Sequence, residues 1–418
     1  WDLGCHVQFS HYGYYDDVLE RALGDAWLWH ERESWVWIRG RFVPYPFQLN
    51  LHRLDPGDRE VSLRGLEQAA TQSRDLSAAN FAEWILATFG PGLAELFMYP
   101  YNRKVWGYPL EQLSVDWIGE RVARPDLDRI RRNIAERRDD VSWGPNNLFR
   151  FPLEGGTGAI WKAVASLLPS ERLRFGHRVK SVRPSDRVLT LENGQRLNFD
   201  TLISTVPLDV LTTMVEGLSA QALEAGRRLV HSSVHVIGVG LHGAQPETLR
   251  RKCWMYFPEP SSPYYRVTVF SNYSPRNVPP IDDCWSLMAE VCETPYRSVD
   301  PSALRSGVLA AMERDRLIPP GTRVVSYWQR REEYGYPTPF LGRDDALRAL
   351  QYELEAHRIF SRGRFGAWKY EASNQDHSFM QGVELANRLV RGEPETTVVN
   401  PALANAGAFQ RKPMSTDA

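Results

Sequence analysis

The chain has 418 residues, 43% of them hydrophobic, and a formal net charge of −1 with acids and bases interspersed. That length fills about two or three domains with a large core, and the charge balance excludes nucleic acid and anionic membrane as dominant partners. No apolar run approaches the roughly 18 residues that cross a bilayer, so no membrane span and no signal peptide is read. Cys5, Cys253, Cys284 and Cys292 form no C-x-x-C pair or metal-ligand cluster, which predicts a reduced, cytoplasmic protein without a structural metal.

Residues 14–23 read as a short amphipathic helix, and ESWVWIRGRFVPYPF as a hairpin turning at Arg39-Gly40 and closed by Pro44 and Pro46. From about Asp58 to Arg138 the apolar period becomes 3.6, predicting an all-helical insert. GGTGAIWKAVASLL reads as a helix opened by glycines, followed by short strands and an Asn193-Gly194 hairpin turn. Further strands with short antiparallel connections are expected over residues 231–292, and helices near 301–315 and 345–357. A strand from Arg364 to Tyr370 then leads into the helix SFMQGVELANRLV, capped by Asp376 or Ser378 and stopped by Gly392. Residues 393–418 read as a loose tail. The order is a segmented mixed α/β domain, a helical insert and an antiparallel sheet.

The one G-x-G-x-x-G lies in VIGVGLHG, at Gly238, Gly240 and Gly243. A dinucleotide turn needs a helix and a βαβ unit of roughly 30 residues after it. Here Pro246 follows closely, and after barely two helical turns KCWMYF reads as another strand. The reading is strand, turn, strand.

Arg121 and Arg266 stand in apolar, aromatic company, where a charge is costly to bury without an anion. An internal salt bridge and a clamp on a diphosphate both satisfy that requirement. Tyr336 and Tyr370 lie beside turn residues, where a phenol reaches a phosphate oxygen, and also read as packing residues. Tyr45 with Gln48, and Phe97 with Asn102, pair aromatic faces with amides as a nucleobase slot requires. His6 and His11 are five apart with no cluster of acidic or cysteine partners, which argues against a metal site. No G-x-S-x-G, Walker loop or H-E-x-x-H occurs, so a hydrolase is poorly supported.

HVQFSHY, VPYPFQ, FMYPYNRKVW, GERVARP, WGPNNLFRFPLEGGTGAIW, HVIGVGL, YYRVTVFSNYS, YGYPTP and GRFGAWKYEASNQDHSFMQGVE occur in this order over nearly the whole chain. Together they resemble UDP-galactopyranose mutases of the eukaryotic type. The resemblance implies an α/β fold: a segmented Rossmann-like FAD-binding domain (1–30, 151–215 and 355–392), a helical domain (51–140), an antiparallel substrate sheet (31–50 and 216–354) and the tail. It implies FAD, active when reduced, with NADPH as reductant. The implied reaction interconverts UDP-galactose, in its pyranose form, and UDP-galactofuranose through a flavin N5–sugar adduct.

Carried over by position, the resemblance implies that Arg121, Arg266, Tyr336 and Tyr370 bind the diphosphate beside Tyr256. It implies that Tyr45, Gln48, Phe97 and Asn102 hold uridine, and that Asn146 and Trp254 line the sugar pocket. His6 falls on the loop over the flavin; Arg364, Asn374, Gln375 and Ser378 on flavin contacts; Val179 on an adenosine-side strand. The family's glycine fingerprint would precede Trp1, leaving the FAD domain incomplete at its N-terminus here. Cys5 replaces a family glycine, a strained substitution if that position needs positive φ. An amine or protoporphyrinogen oxidase, which shares the cofactor fold, and a non-catalytic relic of the mutase fold remain as alternatives. The resemblance leaves an oligomer open.

Overall fold

The computed structural model describes residues 1–72, 78–141, 144 and 147–406. Its centre is a seven-stranded sheet in the order Arg323–Pro337, His231–His242, Cys284–Glu293, Arg266–Val269, Trp254–Tyr256, Ser34–Ile38 and Arg41–Pro44. Every pairing is antiparallel except Trp254–Tyr256 against Ser34–Ile38, which is parallel. That pair attaches the early hairpin, turning at Arg39-Gly40, to strands that come two hundred residues later.

The sheet is covered on both faces, which explains the nearly continuous apolar run of its inner strands. Ile237, Val239 and Leu241 pack with Val308 and Met312 of the helix Pro301–Arg314. On the opposite face Val234, Val236 and Met288 pack with Phe149, Phe151 and Trp254. Gly238 and Gly240 are interior positions of this strand, as the sequence reading held. A Cβ on Gly238 would lie 2.4 Å from the Trp1 indole, and one on Gly240 2.4 Å from Ser326 Oγ. These glycines clear space for side chains lying on the sheet. The next element is a short 3₁₀ turn, Glu247–Leu249, and then a strand.

The insert is mainly helical, with helices Pro56–Gln72, Phe81–Leu93, Tyr99–Trp106 and Leu127–Glu136; between the last two, residues 107–126 are irregular, with short 3₁₀ turns at Leu110–Gln112 and Gly119–Arg121 and a bridge from Leu113 to Phe340. The first two helices cross at glycines. Gly90 has φ 68°, and a Cβ there would sit 2.0 Å from the Gly65 carbonyl oxygen. A π-helical turn at Ala94–Met98 then carries the chain into Tyr99–Trp106.

Three sequence expectations need correction. Residues 364–370 form no strand; the short strand is Ile359–Ser361, paired in parallel with Leu202–Ser204. Arg364 instead turns inward to donate to Ser373 and to the Gly335 carbonyl, which a regular strand would not allow. The last helix spans Gln375–Arg391 with Asn374 at its N-cap; Ser378 lies inside it. Asp376 is diverted from capping by the backbone and ring N–H groups of His11, at 3.0 and 2.8 Å. Gly392, at φ 72°, ends the helix as expected. The tail is docked over its described part, 393–406. Glu395 pairs with Arg362 at 2.6 Å, Thr397 and Ala404 are buried, and a short helix forms at Pro401–Asn405. Residues 407–418 lie outside the described residues. No helix among the described residues is long and apolar enough to cross a membrane.

The glycine crossing carries a prediction. Gly90→Ala places a methyl group into backbone at a left-handed position, and should cost more than about 2 kcal/mol of stability in denaturant melts. A loss below about 0.5 kcal/mol would show that the crossing relaxes freely.

Candidate functional site

Two cavities meet beneath the sheet. The larger, about 780 Å³, is lined by His6, Cys5, Trp254, Arg364, Asn374, Gln375 and the glycine-rich start of the helix Gly156–Ser166. The smaller, about 190 Å³, is lined by Tyr45, Gln48, Phe97, Tyr101, Asn102, Trp106, Trp117, Tyr256 and Tyr265. Arg121, Arg266, Tyr336 and Tyr370 line both, so they form the wall between them.

Arg266 opens the strand Arg266–Val269 and donates its Nε to Glu290 Oε2 at 2.8 Å, with Nη2 at 2.6 Å from the same oxygen. Burial would lower its pKa, but Glu290 reverses this and holds it well above the usual range. The salt-bridge reading of Arg266 therefore holds, and the guanidinium also lines both cavities. Arg121 ends a 3₁₀ turn and donates to Asn374 Oδ1 and the Glu371 carbonyl, each at 3.2 Å. It lies over the Tyr370 ring at 4.7 Å, and its buried Nε has no hydrogen-bond partner among the described residues. Arg364 is held by Ser373, by the Gly335 carbonyl and by the Tyr336 ring at 5.2 Å. Burial lowers its pKa. Among the described residues neither Arg121 nor Arg364 has a carboxylate within salt-bridge distance.

The phenols complete the wall. Tyr336 and Tyr370 have ring centroids 5.7 Å apart, and Tyr370 leans on Trp106 at 4.9 Å and Trp117 at 5.4 Å. Burial pushes the Tyr336 pKa up to about 12, so its hydroxyl is a neutral donor at ordinary pH. In the smaller cavity Phe97 stacks on Tyr101, four residues on, with 13° between ring planes. Tyr256 stands 5.2 Å from Tyr45 and 5.4 Å from Tyr101, ring centre to ring centre. Gln48 donates to the Ala123 carbonyl and Asn102 to the Met98 carbonyl, which fix the two amides in this slot.

His6 projects into the larger cavity, exposed to it yet surrounded by protein. Its pKa is lowered to about 4: enclosure disfavours the charged ring, Glu290 opposes this, and Arg266 and Arg364 add to the lowering. Trp254 Nε1 donates to the Cys5 carbonyl at 3.3 Å. The backbone demand feared at Cys5 falls on its neighbour. Gly4 has φ 155°, whereas Cys5 is not among the positive-φ residues and tucks its thiol into the core near the Met288 carbonyl.

Of the residues read from the sequence, Val179 and Ser378 do not line either cavity, and Asn146 lies outside the described residues. Val179 belongs to a separate three-stranded sheet and packs on its core. His11 sits with Asp376 and His377 in a buried trio whose ligand atoms lie within 4.8 Å of one another, a grouping the spacing of His6 and His11 did not expose. Sequence reasoning missed Glu290, Tyr101, Tyr265 and Asp2. Asp2 accepts from the Thr157 N–H at 3.1 Å at the start of the helix Gly156–Ser166, where a Gly156 Cβ would strike it. For Glu290 a signal existed: a lone acid inside the apolar strand Cys284–Glu293.

The larger cavity fits a flavin on its own features. Gly155 and Gly158 add no side chain to that wall, which leaves room for a flat ring system, and Asn374 and Gln375 place the N-terminus of a long helix against it. That end favours the negative charge a reduced ring carries. The profile of the flavin containing amine oxidoreductases matches residues 36–390. Among solved structures, a reduced UDP-galactopyranose mutase is 48% identical, with TM-score 0.94 over 97% of this chain and 87% of its own. A protein assigned as a protoporphyrinogen oxidase from Exiguobacterium sp. 255-15 has 14% identity and TM-score 0.63 over 85% and 80% of the two chains. A CLA-producing fatty acid isomerase from P. acnes has 12% identity and TM-score 0.59 over 93% and 87%. The last two share the fold alone.

His6 should titrate near pH 4 when followed by ring-proton NMR; a midpoint near 6.5 would place the ring in bulk solvent. Because its folded value lies below the unfolded one, any stability it contributes is complete above about pH 6.5 and is lost as pH falls toward 4.

Proposed function

Because the chain belongs to the flavin containing amine oxidoreductase family and, within it, to the UDP-galactopyranose mutases, we propose that it is an isomerase interconverting UDP-galactopyranose and UDP-galactofuranose on bound FAD. The observation that carries the substrate is the wall between the cavities. It holds two guanidinium groups and two phenols between the larger cavity and an aromatic slot. A nucleoside diphosphate sugar has the matching order of parts: base in the slot, diphosphate at the wall, sugar in the larger cavity against the flavin.

When bound, reduced FAD supplies the nucleophile that holds the sugar while its ring opens and recloses through a different hydroxyl, with NADPH the proposed source of electrons. The chain's own residues do the rest. Arg121 brings its guanidinium to the diphosphate, Arg266 a cation fixed by Glu290, and Tyr336 and Tyr370 their phenol O–H groups. Together they stabilise the charge that grows on UDP as it departs and keep it close for the return. Arg364, Asn374 and Gln375 are the proposed flavin contacts, with Ser378 one helical turn further on; Val179 and Asn146 remain proposals from the resemblance. Trp254 walls the sugar pocket. His6, neutral at ordinary pH, offers hydrogen bonds at the sugar without adding charge.

An amine oxidase reading fits less well, because an amine substrate is cationic and would meet Arg121, Arg266 and Arg364 in a poorly solvated cavity.

Calorimetric titration with UDP tests the reading: UDP should bind and free uridine should bind more weakly. Arg121 is the cleanest probe, since among the described residues its loss strands no carboxylate. Arg121→Ala should weaken UDP by about 1.5–3 kcal/mol and leave uridine little changed, with partial recovery in Arg121→Lys. A folded protein that ignores millimolar UDP would end the proposal.

A further inference from the structure

Glu290 touches two parts of the site at once. Its Oε2 accepts from Arg266 Nε and Nη2, while its Oε1 accepts the Cys5 backbone N–H at 2.8 Å. The carboxylate is almost fully buried, on a central strand, with the Tyr265 hydroxyl also reaching it. The segment it holds is tightly packed: a Cβ on Gly4 would lie 2.7 Å from the His6 ring and 3.1 Å from Glu290 Oε1. Cys5 and His6 line the larger cavity, and Arg266 lines both cavities.

We propose that Glu290 is a positioning residue that locks the Gly4–His6 segment and the Arg266 guanidinium into one arrangement, so that an anion seated on Arg266 is felt at His6. One carboxylate has two oxygens, and each is committed to a different element. Displacing Arg266 toward a diphosphate drags or releases Oε2, and the rigid carboxylate plane passes that movement to Oε1 and the Cys5 N–H. Burial makes the link stiff. A charged carboxylate in this place cannot exchange either partner for water, and each donor left behind would be stranded. Burial would raise the Glu290 pKa; Arg266 and the Cys5 N–H together hold it low, so the carboxylate stays charged and both bonds persist at ordinary pH. The ligand side of this link rests on the UDP-sugar reading above; the link between segment and clamp does not.

Hydrogen exchange at the Cys5 amide, read by mass spectrometry on the full chain, tests the link without any ligand. Glu290→Gln and Arg266→Gln should each speed that exchange about tenfold or more, although Arg266 does not itself bond Cys5, while amides of the strand His231–His242 stay protected. Glu290→Gln should also weaken UDP about tenfold, with uridine unchanged, because the guanidinium loses its orientation. Glu290→Asp keeps the charge but is too short to span both donors, so it should restore one readout at most; it serves in the same two measurements if the glutamine variant fails to fold. Wild-type exchange at Cys5 in Arg266→Gln, or wild-type UDP affinity in a folded Glu290→Gln, would overturn the proposal. If the wild-type chain does not bind UDP, the substrate reading fails and the exchange measurement alone decides the link.

Discussion

Three guanidinium groups converge on one poorly solvated site, and the rest of the site follows from how that charge is tolerated. Removing a cation from water is costly unless something replaces the water. Among the described residues only Arg266 of the three is compensated by a carboxylate, Glu290; Arg121 and Arg364 rest on carbonyl, amide and hydroxyl oxygens and on the faces of Tyr370 and Tyr336. The charge is held but not neutralised. This residual positive field contributes to the depressed pKa of His6 and to the neutrality of a cavity histidine at ordinary pH. An anion seated among these groups would relieve the imbalance, and the surrounding aromatic walls would make the attraction stronger than it is in water.

The three arginines come from places far apart in the chain: a 3₁₀ turn in the helical insert, the first residue of an inner strand, and the loop after Ile359–Ser361. None is free to choose its direction. Arg266 leaves a strand whose register with Cys284–Glu293 places it opposite Glu290. Arg121 is aimed by the start of the helix Gln375–Arg391, through Asn374 and Glu371. Arg364 is caught between Ser373 and Gly335, the latter on the long strand Arg323–Pro337. The sheet and the last helix therefore act as the fixed frame, and the cations are preorganised against it before any ligand arrives.

Much of this was legible from residues alone. Periodicity located the helical insert and the sheet, and Pro246 correctly ruled out a phosphate turn at Gly238. Arg121 and Arg266 stood out because charge in apolar company requires a partner. What the sequence concealed were interactions across long separations. Glu290 meets Cys5 at a distance of 285 positions, and Asp376 meets His11 at 365. Periodicity contains nothing about such pairs. The same blindness explains the tail, since Glu395 looks solvent-bound until Arg362 and Arg388 are placed beside it. It also explains the late helix: Asp376 is a good cap by type, but it was already committed to a histidine from the other end of the chain.

A shared fold with relatives of quite different names raises the question of where this chain's specificity resides. The larger cavity draws on segments at both ends of the chain, which is the part a flavin fold must keep. The smaller slot is different. Phe97, Tyr101, Asn102, Trp106, Trp117 and Arg121 all come from the helical insert; the remaining walls come from the sheet side, from Tyr370 and from the turn holding Tyr45 and Gln48. The insert thus supplies both the aromatic faces and one of the two cations of the dividing wall. Its placement depends on backbone close enough to exclude even a Cβ at Gly90 and on the π-helical turn Ala94–Met98 that joins this crossing to the helix carrying Tyr101 and Asn102. Small changes in that crossing would move the slot relative to Arg266 while leaving the flavin side intact. The position of the slot therefore depends on the packing of two helices that themselves line neither cavity.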